Sequence, residues 1–182
     1  YVKEHCAEEL AMLNAEVPEI KEIPTIRFHE AKQIMEEKFG HKSKNRYDLN
    51  PDEEVLLCQW AKEEHDSDFV FVTHFPSAKR PFYAKDDPED PKLALSFDLL
   101  FRGLEITTGG QRIHDYQEQM DKLEARKMNA ELFESFTMLH KYGMPPHGGL
   151  GIGLERLTMQ LLGLNNIREA SMFPRDMNRL EP

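Results

Sequence analysis

Cysteine is scarce in this 182-residue chain: Cys6 and Cys58 are the only two, far apart and without a CxxC pair. A disulfide framework and a cysteine-built zinc site are excluded, and a reducing compartment fits best. No apolar run approaches the roughly 18 residues that a membrane span needs. No secretory leader is read at Tyr1, so a cytoplasmic protein with no membrane partner is expected. Nucleotide fingerprints are missing as well. Neither GxGxxG after a strand nor GxxxxGK[ST] occurs, which removes the Rossmann and P-loop sites. No serine sits in a GxSxG elbow, and none of the eight histidines stands at an HxxxH spacing. Repeats and low-complexity segments are absent.

What is present is ordinary globular composition, 40% hydrophobic and 31% charged, which excludes disorder and suits one good-sized domain. The net charge of −10 is uneven. Residues 1–68 hold 9 Lys/Arg against 17 Asp/Glu, a net of −8, and residues 69–182 hold 14 against 16, a net of −2. An acidic face repels phosphate backbones, so nucleic acid would meet the second part or something outside the chain.

The hydrophobic period also changes along the chain. Residues 1–16 carry Val2, Cys6, Leu10 and Leu13 at helical spacing. A short strand is expected at 25–28 and a helix at 29–39, with Gly40 as its C-cap. Residues 41–50 read as a loop, and Asn50-Pro51 opens a helix to about His65. From Asp68 the pattern turns β-branched and aromatic. A buried strand is expected over 68–75, at most an edge strand at 82–84, and two or three strands over 93–113 with a turn at Arg102-Gly103. Helices are expected over 116–128, 130–142 and 154–163. Helices, then an antiparallel-looking sheet, then helices on that sheet argue an α+β fold.

Two segments could carry chemistry. GLEITTGGQRIHDY (103–116) places Glu105, Thr108 and Arg112 on strand-forming backbone. Strand side chains alternate, so Thr108 and Arg112 share a face while Glu105 and Arg112 do not. An irregularity within 106–110, where Gly109-Gly110 offers a place, is therefore expected if all three meet in one pocket. Glu105 and Thr108 oxygens suit Mg²⁺, with substrate phosphates and waters completing the octahedron. The Arg112 fork suits a planar carboxylate. The blander alternative is an edge ion pair of Glu105 with an arginine. In GGLGIGLERL (148–157), Gly149, Gly151 and Gly153 bare one face of an extended segment, against which a flat ring could lie. Arg156 follows in the first helical turn, within reach of a phosphate. The alternative there is close strand–helix packing with Arg156 solvated. Tyr83 points into a polar cleft or belongs to core or rim. Lys79-Arg80 reads as a solvated pair. His114-Asp115 is no direct dyad, because neighbours on a strand face opposite ways.

FPSAKRPFYAKDDPEDP (75–91), SFDLLFRGLEITTGGQRIHDY (96–116), YGMPPHGGLGIGLERL (142–157) and NNIREASMFPRD (165–176) come in that order and spacing. Together they resemble class II aminoacyl-tRNA synthetases, and among them the aspartyl-tRNA synthetases of the archaeal/eukaryotic type. GLGIGLERL resembles their motif 3. The match is specific from about Asp68 to Pro182 and looser before. The resemblance implies an antiparallel catalytic sheet flanked by helices. Residues 68–182 would be its C-terminal part, and residues 1–67 an acidic, mainly helical insertion beside it. It implies that Glu105 binds ATP and Mg²⁺ and that Thr108 contributes to metal and substrate binding. Arg112 would grip the aspartate side chain, with Tyr83 near the amino acid. Gly153, Leu154, Glu155 and Arg156 would bind ATP, with Arg156 on the phosphate tail. The family usually has Ser at position 108 and commonly Ala at 110. It implies aspartate, ATP and tRNA as partners and a homodimer for the full-length protein. No FRxE-type motif 2, proline-bearing motif 1 helix or anticodon-binding barrel is found, so a fragment of a longer ligase, inactive alone, is expected. The alternatives are an asparaginyl-tRNA synthetase or amidating paralogue on the same fold, or a non-catalytic amino-acid- or nucleotide-binding module.

Overall fold

Local signals set most of the elements. In the computed structural model, which describes residues 1–181, Glu53 reaches back to the Asn50 N–H as a capping box and Pro51 sits at the first turn. Helix α4 (Pro51–His65) follows. Gly40 closes α3 (Phe28–Phe39) at a left-handed φ of 64°. Before them lie α1 (Val2–His5), α2 (Ala7–Leu13) and β1 (Thr25–Arg27). The expected N-terminal helix is thus broken at Cys6. None of its apolar residues is buried, so nothing holds it straight.

The sheet contains β1, β2 (Phe69–Thr73), β3 (Ser96–Phe101), β4 (Leu104–Arg112) and β5 (His147–Ile152), in that spatial order. Only β1–β2 is parallel. Thr25–Arg27 therefore joins the sheet through the crossover that contains α3 and α4. Residues 93–113 supply two strands, not three, and Ala84 adds a single bridge to Arg112. After β4 come α5 (Tyr116–Ala125), α6 (Glu134–Lys141) and, beyond β5, α7 (Leu154–Leu162). The expected helix over 130–142 begins as a 3-10 turn at Ala130–Phe133.

Helices cover both sheet faces. Phe28, Ala31 and Met35 of α3 and Leu57, Cys58 and Ala61 of α4 pack on Val70, Val72 and Leu100. Met35 and Leu57 are fully buried, each worth about 2 kcal/mol by burial alone. On the other face, Leu157 and Leu161 of α7 meet Phe69, Phe101 and Ile106. Among the described residues no helix is long and apolar enough to cross a membrane.

Arg102 and Gly103, both at positive φ (47° and 91°), form a two-residue hairpin turn between β3 and β4. The register then slips. Leu100 pairs with Glu105 but Leu99 pairs with Thr107, so Ile106 is an extra residue in β4. This bulge is the expected irregularity, and it lies ahead of the glycines. Ile106 and Thr107 both turn to the α7 side and are buried. Glu105 and Thr108, three apart, consequently share the opposite face, and Gly110 and Arg112 continue it.

Candidate active site

That face is stripped of side chains along the β4–β5 seam. Gly110 lies opposite Gly149, and Thr108 opposite Gly151. The Arg112 guanidinium crosses the bare Cα of Gly149, where an added Cβ would stand 2.7 Å from Nη2. The same guanidinium lies over the Tyr83 ring, 5.0 Å from its centre. Arg80, Tyr83, Thr108, Arg112, Gly149 and Gly151 surround one pocket of about 300 Å³. Nothing occupies the space above Gly151. Gly153 is backed by the Arg156 stem, 3.3 Å from where its Cβ would be. The glycine run therefore forms a trough between two guanidinium groups.

Arg80 is not the solvated residue expected from Lys79-Arg80. It donates two hydrogen bonds to Asp98, at 3.0 and 2.8 Å, and its guanidinium lies 3.8 Å from the Phe75 ring centre. Burial against an aromatic floor makes such a forked pair rigid. The Thr108 hydroxyl donates to Asp98 at 2.6 Å and accepts from Arg80 at 3.1 Å. Lys79 remains exposed, 3.9 Å from Asp48.

Glu105 sits at the next level of the same face, outside the pocket lining. Its side chain meets Arg156 at 3.4 Å, so the ion pair of the blander alternative exists. Arg156 also donates to the Glu105 carbonyl at 2.8 Å. Glu54 of α4 accepts the Glu105 N–H at 2.8 Å. Burial, and then the charge of Asp98, hold the Glu105 carboxyl above the usual carboxylate range. Burial raises Glu54 in the same way. A cation would relieve this crowding, so Glu105 fits a divalent ion. Thr108 fits less well, because its hydroxyl already serves Asp98 and Arg80. Among the described residues no group of three or more acidic, His or Cys side chains surrounds one point. One carboxylate suits a magnesium ion that arrives with nucleotide phosphates and keeps its waters.

Leu154 and Glu155 are exposed and line no part of the pocket. Asp115 caps α5, accepting from the Glu118 N–H at 2.8 Å, and the buried His114 Nδ1 has no hydrogen-bond partner among the described residues, so the two form no dyad. Arg80, Asp98 and Glu54 were not found by sequence reasoning. Each is joined to the site through partners 10 to 51 residues away. The one available signal was the acidic residue in the otherwise apolar run FDLLF.

The sequence profile of tRNA synthetases class II (D, K and N) matches residues 2–177. An aspartate–tRNA(Asp/Asn) ligase from Deinococcus radiodurans is 49% identical over 180 residues, 96% of this chain and 41% of that protein. Among solved structures, an aspartyl-tRNA synthetase from Entamoeba histolytica superimposes with a TM-score of 0.91 at 33% identity, covering all of this chain and 38% of the other. An asparaginyl-tRNA synthetase from Pyrococcus horikoshii gives 0.86 at 34% identity, over 98% of this chain and 43% of the other. The chain thus spans about two fifths of the length of the relatives it matches. With a profile that covers nearly every residue, the chain belongs to the class II tRNA synthetases of the D, K and N group.

Proposed function

We propose that this chain carries the aspartate pocket and part of the ATP site of an aspartate–tRNA ligase. The observation that carries the reading is the Arg112 guanidinium, lying over the Tyr83 ring and against the bare backbone of Gly149 at the wall of a small pocket. Two parallel N–H donors suit a carboxylate. A carboxamide would set its NH₂ against them and leave donors facing donors. The names of the relatives point the same way. Relatives called aspartate–tRNA ligases reach 49% identity, and the Entamoeba histolytica aspartyl structure superimposes with a TM-score of 0.91 against 0.86 for the asparaginyl one.

In the proposed reaction the α-carboxylate of aspartate attacks the α-phosphate of ATP and pyrophosphate leaves, giving an aspartyl-adenylate; a ribose hydroxyl at the tRNA end then attacks the acyl carbon, loses its proton and takes the acyl group as AMP leaves. No side chain need be a nucleophile, so the protein's part is orientation and charge. Arg112, with Tyr83 beside it, fixes the aspartate side chain. Arg80 anchors Asp98 and, with it, the Thr108 hydroxyl at the pocket rim. The trough over Gly151 receives a flat base, and Gly153, Leu154, Glu155 and Arg156 form the turn that brings a guanidinium to the phosphates. Magnesium, held by Glu105 and the phosphates with Thr108 at the rim, would supply charge neutralisation. Residues 1–67 form the mainly helical part, which also lends β1 to the sheet, and residues 68–182 the rest of the catalytic part, within a cytoplasmic homodimer.

The test is ATP–pyrophosphate exchange by the full-length protein with aspartate and with asparagine. Exchange that depends on aspartate, with a kcat/KM well above that for asparagine, is expected. Equal values, or a preference for asparagine, would move the chain to the asparaginyl reading.

A further inference from the structure

Glu105 lies where the sheet gives out. The two-residue turn makes Phe101 and Leu104 the closing hydrogen-bonded pair of the hairpin, so the backbone N–H and C=O of Glu105 point away from β3. Strand β5 reaches only as far as Thr107 on that side. No strand therefore receives these two groups. The carbonyl accepts from Arg156 and the N–H donates to the Glu54 carboxylate. Glu54 takes the part of a neighbouring strand for one residue, directly before the bulge at Ile106.

The rest of α4 supports the same contact. Val55 lies against Gly103, where a Cβ would stand 3.1 Å from Cγ2, and buried Cys58 packs on the same face of the helix. The capping box at Asn50 and Glu53 fixes the first turn, from which Glu54 projects. We propose that Glu54 is a positioning residue: it fixes the Glu105 backbone, and through it both the Glu105 carboxylate and the Arg156 guanidinium that the Glu105 carbonyl holds. A helix of the acidic N-terminal part would then be built into the nucleotide end of the site, while the Arg112–Tyr83 end does not depend on it.

The inference rests on the ATP-dependent reading above. The experiment takes full-length wild type, Glu54→Ala, Glu54→Gln and Asp52→Asn, and titrates magnesium–ATP and aspartate by calorimetry, with Tm as the check on folding. Glu54→Ala is expected to weaken magnesium–ATP by roughly tenfold, the loss of one charge-assisted hydrogen bond. Its aspartate affinity stays at the wild-type value. Glu54→Gln still offers an oxygen to the N–H and recovers most of the loss. Asp52→Asn, an exposed change in the same turn, leaves both ligands unaffected. If Glu54→Ala does not fold, Glu54→Met fills the space without an acceptor and takes its place. Unchanged magnesium–ATP affinity in the Ala or Met variant, or equal losses for both ligands, overturns the proposal. A wild type that binds both ligands but shows no aspartate-dependent exchange overturns the functional reading alone. One that binds no magnesium–ATP overturns both.

Discussion

Single side chains at this site are held by what is absent beside them. Gly149 has no Cβ because the Arg112 guanidinium fills that place. Gly149→Ala should displace the guanidinium and weaken aspartate binding by at least tenfold, since a charged hydrogen-bonding pair is at stake. The melting temperature should hardly move, and calorimetric titration with aspartate checks the affinity. Arg112→Lys should keep the charge but lose the fork, and with it most of the preference for aspartate over asparagine in the exchange assay. Glu105 carries a sign that can be checked. Its carboxyl is raised by burial and by Asp98, so its charged form is worse off folded than unfolded. The stability it contributes is complete below the ordinary carboxylate range and is lost as pH rises through the folded value. At pH 7 Glu105→Gln should therefore melt no lower than wild type while its exchange activity collapses. A lower Tm with intact activity would reverse both assignments.

Helices α3 and α4 are joined by an ion pair of the opposite character. Glu53 is fully buried and accepts from Lys32 at 2.8 Å. Burial alone would raise its pKa, but Lys32, the Ser43 hydroxyl and the Asn50 N–H outweigh burial and hold it below the ordinary value. This contribution exists above the unfolded pKa and disappears as pH falls through the folded one. Lys32→Met leaves the carboxylate buried without its cation and should cost about 3 kcal/mol, read as a drop in urea midpoint at pH 7. Both helices were legible in the sequence because Gly40, Asn50 and Pro51 are local signals. The bulge was legible only as a need. Ile106 and Thr107 look like ordinary alternating strand residues, and the packing of Ile106 under Leu157 and Leu161 of α7 is a contact that no local signal shows. Glu105, Thr108 and Arg112 could be nominated from their segment. Arg80 and Glu54 could not, because their partners are distant in sequence and a lone charge next to a proline or on a helix reads as solvated.

On the proposed reading the molecule as a whole divides its chemistry along one sheet face, with the amino-acid pocket over β4–β5 and the nucleotide end where α4 and α7 approach the hairpin. The 182 residues contain no FRxE-type motif 2. The chain by itself should therefore show no measurable aspartate-dependent ATP–pyrophosphate exchange, although the proposed Arg112 pocket lies within it. Exchange by the purified 182-residue chain would place the phosphate-handling groups among residues not considered above.

Strand β5 has a consequence for handling the protein. It pairs with β4 alone, so the hydrogen-bonding groups along its other side have no strand partner among the described residues. Its sequence, HGGLGI, has no lysine, glutamate or proline to blunt that margin, and Leu150 and Ile152 are 58% and 59% exposed. Such a margin is a template for the first extended segment it meets, and in a concentrated solution of this chain that segment is another β5. Sedimentation velocity should show mass increasing with concentration, and Leu150→Lys should return the chain to a single slow boundary.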